Sequence, residues 1–365
     1  MNSQKIMSPI HLSLVLSVMG ACIFGCVGPV KHEMTTDYPA AVLHVVGTPP
    51  VIDSRARFRE IFCQLLASEP DYQGREGTCE NFLLRLDDEA LPDKRTQPPP
   101  TLSTRYRVMV VPGFLNECFA SIALPFEDAI TSLSDRGLKI EQMVVSGRSS
   151  SDANAVYIAE TVGNLNLAEN EKLVLVGHSK GAVDILHFLV KFPQQSRRVA
   201  AVVSVAGAIN GSPLVFKWDE IYTALARNFL SGRCNTGDDG ALDSLLPAVR
   251  LSWLAANPLP KSVRYFSLAA FTKKDSINTL LKTGYNLLWP YSPRNDGLLL
   301  STDQLIPGGE LLGYANADHW SVALSLENKN MLISETIQAP IKFPRQVLLQ
   351  ALLIYVAEAL EPEQE

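Results

Sequence analysis

Residues 172–191 read KLVLVGHSKGAVDILHFLVK, and this stretch decides the fold. Its first part is a short apolar run rich in valine, which is typical of a buried strand. Its last part repeats apolar residues at the spacing of one helix face, namely Val183, Leu186, Leu189 and Val190. The pentapeptide GHSKG at 177–181 joins the two parts. The stretch therefore predicts a strand, a tight turn and a helix.

The pentapeptide, called the elbow below, holds a serine between two glycines. A serine at the tip of a sharp strand-to-helix turn is exposed for nucleophilic attack, and the residues two places away on either side have almost no room for a side chain. Gly177 and Gly181 fill those places. The G-x-S-x-G string alone is only moderately specific, and an ordinary loop serine is the alternative. In this context it predicts that Ser179 is a nucleophile.

Further short β-branched runs, separated by stretches of helical spacing, lie on both sides of the elbow. The expected strands are 106–111, 142–146, 172–177, 199–205 and 263–268. Strands that alternate with helices form βαβ units and a mainly parallel sheet. Because these strands are apolar throughout, helices are expected on both faces of the sheet. We therefore predict an α/β fold whose site lies at the carboxyl ends of the strands.

A serine hydroxyl becomes a good nucleophile when a base takes its proton, so a histidine is needed. The histidines are His11, His32, His44, His178, His187 and His319. The first three precede the predicted sheet, His178 is expected to point away from the site, and His187 lies two turns along the next helix. His319 lies late in the chain, where the order serine, acid, histidine places the base. It is the predicted base; a surface or core histidine is the alternative.

The base needs a carboxylate that holds its tautomer and stabilises the imidazolium. Asp296 lies between a proline-containing turn and the apolar run 298–300, and it is the leading candidate. Asp303 and Asp275 are the alternatives. Asp318 adjoins His319, but neighbouring side chains in an extended loop diverge, so Asp318 is expected to be structural.

The tetrahedral intermediate of acyl transfer needs two backbone N–H donors, one from the residue after the nucleophile and one from a loop after an earlier strand. Lys180 supplies the first through its amide, while its side chain is expected to be solvated. Strand 106–111 runs into Pro112 and Gly113, which lets the chain turn tightly. The amide of Phe114 is therefore the expected second donor, with a simple strand-ending turn as the alternative.

These features together resemble the bacterial lipase and esterase branch of the α/β-hydrolase superfamily, over about residues 105–325. The matching motifs, in order, are PGF at 112–114, GHSKG at 177–181, NDGL at 295–298 and DHW at 318–320. The resemblance implies ester hydrolysis through an acyl-enzyme. Two positions depart from the usual pattern: Pro112 replaces a histidine, and Lys180 replaces an apolar residue or glutamine.

Composition limits the partners. The chain has 365 residues, of which 47% are hydrophobic and 19% charged, as in an ordinary globular protein. With a net charge of -6 and no long run of Lys or Arg, nucleic acid is not an expected partner. No H-E-x-x-H and no Cys/His ligand spacing occurs, so we expect neither a metal nor another cofactor. The expected partner is a small-molecule or lipid ester.

Residues 1–25 have the pattern of an export signal, with Lys5 before an apolar stretch too short for a comfortable membrane span. Gly20-Ala21-Cys22 and Phe24-Gly25-Cys26 both resemble, imperfectly, the end of a bacterial lipoprotein signal. Either Cys22 or Cys26 is therefore the expected lipidation site, on a cell-envelope protein tethered to a membrane. A plain cleaved signal, giving a secreted protein, and an uncleaved anchor are the alternatives.

The remaining cysteines are Cys63, Cys79, Cys118 and Cys234. In an oxidising compartment they would form two disulfides, for which three pairings exist. Cys63 and Cys79 flank a polar, glycine-containing loop and are the expected local pair. Four buried thiols are the alternative.

The run Gln97-Pro98-Pro99-Pro100 cannot continue a helix. It separates a predicted N-terminal extension, 26–100, from a hydrolase domain, 101–361. In the extension, 54–67 has the apolar spacing of a helix packed on the main domain.

The stretch 211–260 follows a strand, holds helical-looking pieces around 218–230 and 242–254, and is the predicted cap or lid. Its Trp218, Phe229 and Trp253, with the tether, favour hydrophobic or lipid-like esters. An acyltransferase, phospholipase or thioesterase of the same fold is one alternative. A non-catalytic envelope lipoprotein is another.

Overall fold

The computed structural model describes residues 51–70, 79–86, 89–90, 105–115, 124–217, 237–325 and 342–361. The predicted signal with Cys22 and Cys26, the cysteines Cys118 and Cys234, and the cap residues Trp218 and Phe229 lie outside these ranges. The lipoprotein signal and its lipidation site stay predictions.

The strands are β1 (Ile52–Asp53), β2 (Leu83–Leu84), β3 (Tyr106–Val111), β4 (Ile140–Gln142), β5 (Lys172–His178), β6 (Val199–Val205), β7 (Arg264–Phe271) and β8 (Glu310–Asn316). The α-helices are α1 (Arg55–Ser68), α2 (Glu127–Asp135), α3 (Ser151–Asn164), α4 (Lys180–Lys191), α5 (Pro193–Ser196), α6 (Pro247–Ala256), α7 (Lys282–Leu288) and α8 (Arg345–Leu360).

The strands form one eight-stranded sheet in the order β1-β8-β7-β6-β5-β3-β4, and β2 also pairs with β8. Every pairing is parallel except that of β2. Val111 pairs with Gly177 at the ends of β3 and β5, so the loops that follow these strands emerge side by side. The predicted α/β fold with a mainly parallel sheet is confirmed.

Two helical layers cover the sheet, because successive residues of each strand point to opposite faces. In β3, Val108 and Val110 pack in one core with α1, α2 and α8. Met109 and Val111 pack in the other core with α3, α4 and α6. None of the described helices is both long and apolar enough to cross a membrane.

The predicted strand positions are correct except near β4. This strand is Ile140–Gln142, whereas the sequence analysis placed it at 142–146. It is a short strand at the edge of the described sheet, where it pairs with β3. Its apolar content therefore gives a weak signal in the sequence. The sequence analysis also missed β8, whose apolar run is short and is interrupted by Gly313.

The predicted N-terminal extension contributes to the sheet. The sequence analysis started the hydrolase domain at residue 101, but β1 and β2 already pair with β8, beside its start and its end respectively. Helix α1 packs against α8, and the predicted pair Cys63–Cys79 is a disulfide that joins α1 to the turn before β2. Asn316, the last residue of β8, donates to the carbonyls of Asn81 and Phe82.

The described part of the predicted cap, 211–217 and 237–260, includes α6 in the layer of α3 and α4. The helix expected at 242–254 is broken, since Pro247 starts α6 and Leu246 before it is extended. Trp253 stacks on His187 with ring centroids 4.1 Å apart. Trp253 is therefore a packing residue.

Candidate active site

The elbow places Ser179 at the carboxyl end of β5 and directly before α4. Its backbone has φ 56° and ψ -128°, a region that L residues rarely adopt. Backbone hydrogen bonds hold this conformation: Ser179 N donates to Val205 O at 3.2 Å, and Ser179 O accepts from the amides of Ala182 and Ala208. The side chain stays partly exposed, as an attacking group must.

Close backbone approach explains the three glycines around this turn. A Cβ on Gly177 would lie 2.5 Å from Ala182, and one on Gly181 would lie 2.2 Å from Val111 O. A Cβ on Gly113 would lie 2.7 Å from the Cβ of Ser179. The predicted Pro-Gly turn after β3 therefore packs directly against the serine, and Phe114 follows it.

His319 lies in the loop after β8, and Nε2 of its buried ring is 2.9 Å from Ser179 Oγ. Its Nδ1 is 2.7 Å from Asp296 Oδ2. Its backbone amide also donates to Asp296 O at 2.9 Å, so main chain and side chain tie the two loops together. The structure thus brings together the three residues that the sequence analysis selected.

Asp296 is fully buried and accepts four hydrogen bonds. Oδ1 accepts from the amides of Leu298 and Leu299 at 2.9 and 2.7 Å. Oδ2 accepts from His319 and from Gln304 Nε2, the latter at 3.2 Å. Because a carboxylate only accepts, Nδ1 of His319 carries a proton and Nε2 faces Ser179 as an acceptor.

The three other carboxylates that the sequence analysis considered do not hydrogen-bond to the ring of His319 in the structure. Asp275 is exposed on the 3-10 turn Lys274–Ser276. Asp303 lies on the turn Ser301–Gln304, where its carbonyl accepts from Asn210 N, and burial raises the pKa of its side chain to about 7. Asp318 is buried and accepts from the amides of Asn278, Trp320 and Ser321, so it fixes the loop that carries His319.

Two expectations about side chains next to Ser179 are wrong. Lys180 is buried, not solvated, and its Nζ donates to Asp184 at 2.7 and 3.0 Å. His178 does not point away: its Nε2 donates to His319 O at 2.9 Å, and the two rings are 5.0 Å apart. Burial lowers the pKa of His178 to about 3, with the neighbouring His319 as a second cause, so its ring is neutral.

The ring of His187 bonds groups other than Ser179, as expected from its position on α4. Its Nε2 accepts from Arg250 at 2.7 Å, and its Nδ1 bonds Asp152 at 3.1 Å. Burial, with Arg250 as a second cause, lowers its pKa to about 4. Within the described ranges, no group of three or more His, Cys, Asp or Glu side chains is arranged to hold a metal ion.

Gln304 is a contact of the site that sequence reasoning missed. Its Nε2 donates to both Asp296 Oδ2 and Ala270 O, and its Oε1 accepts from Ala270 N. It thereby fixes Asp296 to the end of β7. A glutamine in a polar turn carries no pattern from which this contact could be inferred.

Comparison with known proteins gives the class. No protein-family model matches the chain, and no curated protein matches it. Among solved structures, the metagenomic carboxyl esterase MGS0156 is 37% identical, with a TM-score of 0.77 over 89% of this chain and 100% of that one. EstA from Clostridium botulinum is 14% identical, with a TM-score of 0.50 over 82% of this chain and 97% of its own, and shows the fold alone.

The chain belongs to the carboxyl esterases of the α/β-hydrolase superfamily. It is a carboxylic ester hydrolase, as the sequence resemblance implied.

Proposed function

We propose that this esterase cleaves hydrophobic esters through an acyl-enzyme, with Ser179 as nucleophile, His319 as general base and Asp296 as the acid that orients it. The continuous hydrogen-bonded path from Ser179 Oγ through both ring nitrogens of His319 to Asp296 carries the proposal. The order of the three residues along this path and the tautomer of His319 are those that activate a serine hydroxyl.

In the first half of the reaction, Ser179 Oγ attacks the ester carbonyl carbon while its proton passes to His319 Nε2. Asp296 stabilises the imidazolium that forms. When the tetrahedral intermediate collapses, His319 returns the proton to the leaving alkoxide, and the alcohol departs. Water then attacks the acyl-enzyme with His319 again as base, which releases the acid and restores Ser179.

Two amides are proposed to stabilise the oxyanion. Lys180 is the first residue of α4, so its amide is not used inside the helix and lies at the positive end of the helix dipole. Phe114 follows Gly113, which packs against Ser179. Donors fixed in place before the charge develops contribute strongly, and loss of one typically lowers turnover by about 10²–10³.

A hydrophobic acyl or alcohol group is supported by an apolar surface beside the site. Leu298 lies two residues after Asp296, and Trp320 directly follows His319; both pack with Leu214 and Leu288. The 3-10 turn that carries Leu214 packs on α7. Large side chains on or just after these elements are exposed: Phe216 on the 3-10 turn at 70%, and Trp289 and Tyr291 directly after α7 at 52% and 68%. We call these three the aromatic rim. We infer that the aromatic rim binds the apolar part of the ester, since exposed apolar patches commonly mark ligand-binding surfaces.

The nucleophile is tested by covalent labelling. A fluorophosphonate is expected to form one adduct, mapped by peptide mass spectrometry to Ser179, because Nε2 of His319 activates this hydroxyl. The Ser179→Ala variant is expected to remain unlabelled, whereas Ser276→Ala, on the turn Lys274–Ser276, is labelled like the wild type. An unlabelled wild type, or a labelled Ser179→Ala, contradicts the proposal.

The substrate class is tested with p-nitrophenyl esters of increasing chain length. Trp289→Ser and Phe216→Ser are each expected to lower kcat/KM by up to about 10-fold for the octanoate and to leave the acetate unchanged, because only the longer chain reaches the aromatic rim. Tyr157→Ser removes a comparably exposed aromatic from α3 and serves as the control. Equal effects on both esters would exclude the aromatic rim as a chain-binding surface.

A further inference from the structure

Behind the elbow lies a buried polar cluster of Lys180, Asp184 and Asn154, none more than 2% exposed. We call it the elbow cluster. Nζ of Lys180 donates to both carboxylate oxygens of Asp184, at 2.7 and 3.0 Å. Asn154 Nδ2, from α3, donates to Asp184 Oδ2 at 2.7 Å and to Ser146 O at 2.9 Å. Helices α3 and α4 therefore meet at one carboxylate, and Asn154 connects them to the loop at Ser146.

Stability does not explain this arrangement. Burying an ion pair removes two charges from water, and an apolar pair of similar volume is commonly as stable or more stable. The ammonium also lies in the first turn of α4, where the helix dipole disfavours a positive charge.

The geometry of the neighbouring loop supplies a reason. Leu115, directly after Phe114, donates its amide to Gly147 O at 3.1 Å. Gly147 follows Ser146, whose carbonyl accepts from Asn154. A path of hydrogen bonds therefore runs from Lys180 through Asp184 and Asn154 to Ser146 O. One peptide further, Gly147 O continues it to the amide of Leu115, next to Phe114.

We infer that the elbow cluster positions the two oxyanion donors, the amides of Lys180 and Phe114, relative to each other. The inference rests on the proposed function. The two amides follow different strands, β5 and β3, so their separation depends on contacts between the loops. Asp184 and Asn154 provide a directional link between those loops, and the donors are then in place before negative charge develops. All three are positioning residues, since none of their side chains reaches the reacting atoms.

The test separates positioning from stability with a charge-removal cycle. Lys180→Met and Asp184→Leu alone each leave one buried charge unpaired, so both single variants lose stability and turnover. The double variant removes both charges of the pair, so its melting temperature is expected to rise above that of either single variant. It does not return fully to the wild-type value, because the buried Arg250 then lacks the attraction of Asp184. The kcat of the double variant for p-nitrophenyl acetate is expected to stay about 10–100-fold below wild type, with KM changed less than about 2-fold, because the donors are displaced, not removed. A folded double variant with wild-type kcat overturns the inference.

Asn154→Ala covers the case in which the double variant does not fold. It keeps the Lys180–Asp184 ion pair and removes both hydrogen bonds of Asn154, to Asp184 and to Ser146 O. About a 10-fold loss in kcat at constant KM is expected; wild-type kcat in this variant overturns the inference. Glu310→Gln is the matched control. Glu310 is the first residue of β8, at the amino ends of the strands and therefore opposite the site, and its buried carboxylate accepts from Tyr355. The substitution is expected to lower stability without changing kcat.

Labelling distinguishes the two possible failures. If the wild type forms no fluorophosphonate adduct at Ser179, the proposed function fails and the inference about the elbow cluster fails with it. If the wild type is labelled and the folded cluster variants turn over normally, the elbow cluster alone loses its role.

Discussion

Replacement of Asp296 by asparagine is expected to lower kcat by about 10⁴ in a chain that still folds. Oδ1 of Asp296 accepts from two backbone amides, which only an oxygen can do. The amide nitrogen of the asparagine must therefore take the place of Oδ2 and face His319 Nδ1. It would donate to Nδ1 and force the proton of the ring onto Nε2. That nitrogen could then no longer accept the proton of Ser179.

The measurement is kcat and KM for p-nitrophenyl acetate, with the melting temperature as a check on folding. KM is expected to change little, because the altered contact lies behind the base. Asp303→Asn is the matched control: it is the same substitution at the carboxylate nearest in sequence, on a turn whose carbonyl bonds Asn210. Its kcat is expected to stay within about 2-fold of wild type. Normal turnover of Asp296→Asn would show that His319 does not depend on Asp296 for its orientation.

Alanine at position 113 is expected to lower kcat by about 10²–10³, the loss typical of one oxyanion donor. The added Cβ would lie 2.7 Å from Ser179 Cβ, 3.0 Å from His178 O and 3.1 Å from Ser179 Oγ. The first distance cannot persist and the other two are tight, so either the elbow or the loop of Phe114 must move. Gly113 does not have a positive φ, so the backbone itself tolerates alanine and the effect is one of space.

Gly163→Ala serves as the control for this substitution. Gly163 lies near the end of α3, where an added Cβ would meet nothing closer than Gln195 Cγ at 4.0 Å. Alanine there is expected to keep full activity and to stabilise the helix by up to about 1 kcal/mol. The readouts are kcat, the rate of fluorophosphonate labelling and the melting temperature. A Gly113→Ala enzyme with wild-type values of all three would show that the turn does not lie against the serine as described.

The residues at the proposed reaction centre could be selected from the sequence, for physical reasons. The elbow needs glycines at fixed spacing because backbone comes within 2.5 Å of where their side chains would be. Few histidines compete for the role of base, and His319 alone follows the serine at the required distance along the chain. Such constraints are local or depend on chain order, so a single sequence reveals them.

The contacts that hold these groups depend on long-range geometry and were not predictable. Lys180 was expected in water because most lysines are exposed. Its partner Asp184 lies one turn along the helix and accepts a further hydrogen bond from Asn154 on a different helix. His178 was expected to point away because a sequence does not show that the loop after β8 brings the His319 carbonyl to it. Gln304 and β8 lack any local signature. In each case the partner became apparent only when the sheet order was known.

The disulfide between Cys63 and Cys79 has a practical consequence for anyone who prepares this enzyme. It fixes the turn whose carbonyl at Asn81, with that of Phe82, receives the hydrogen bonds of Asn316, three residues before His319. Protein made in a reducing cytoplasm would lack this covalent link, and the turn before β2 would then be held by hydrogen bonds and the packing of Phe82 and Leu83. The thiol content of a preparation should therefore be measured before its turnover is compared with that of another.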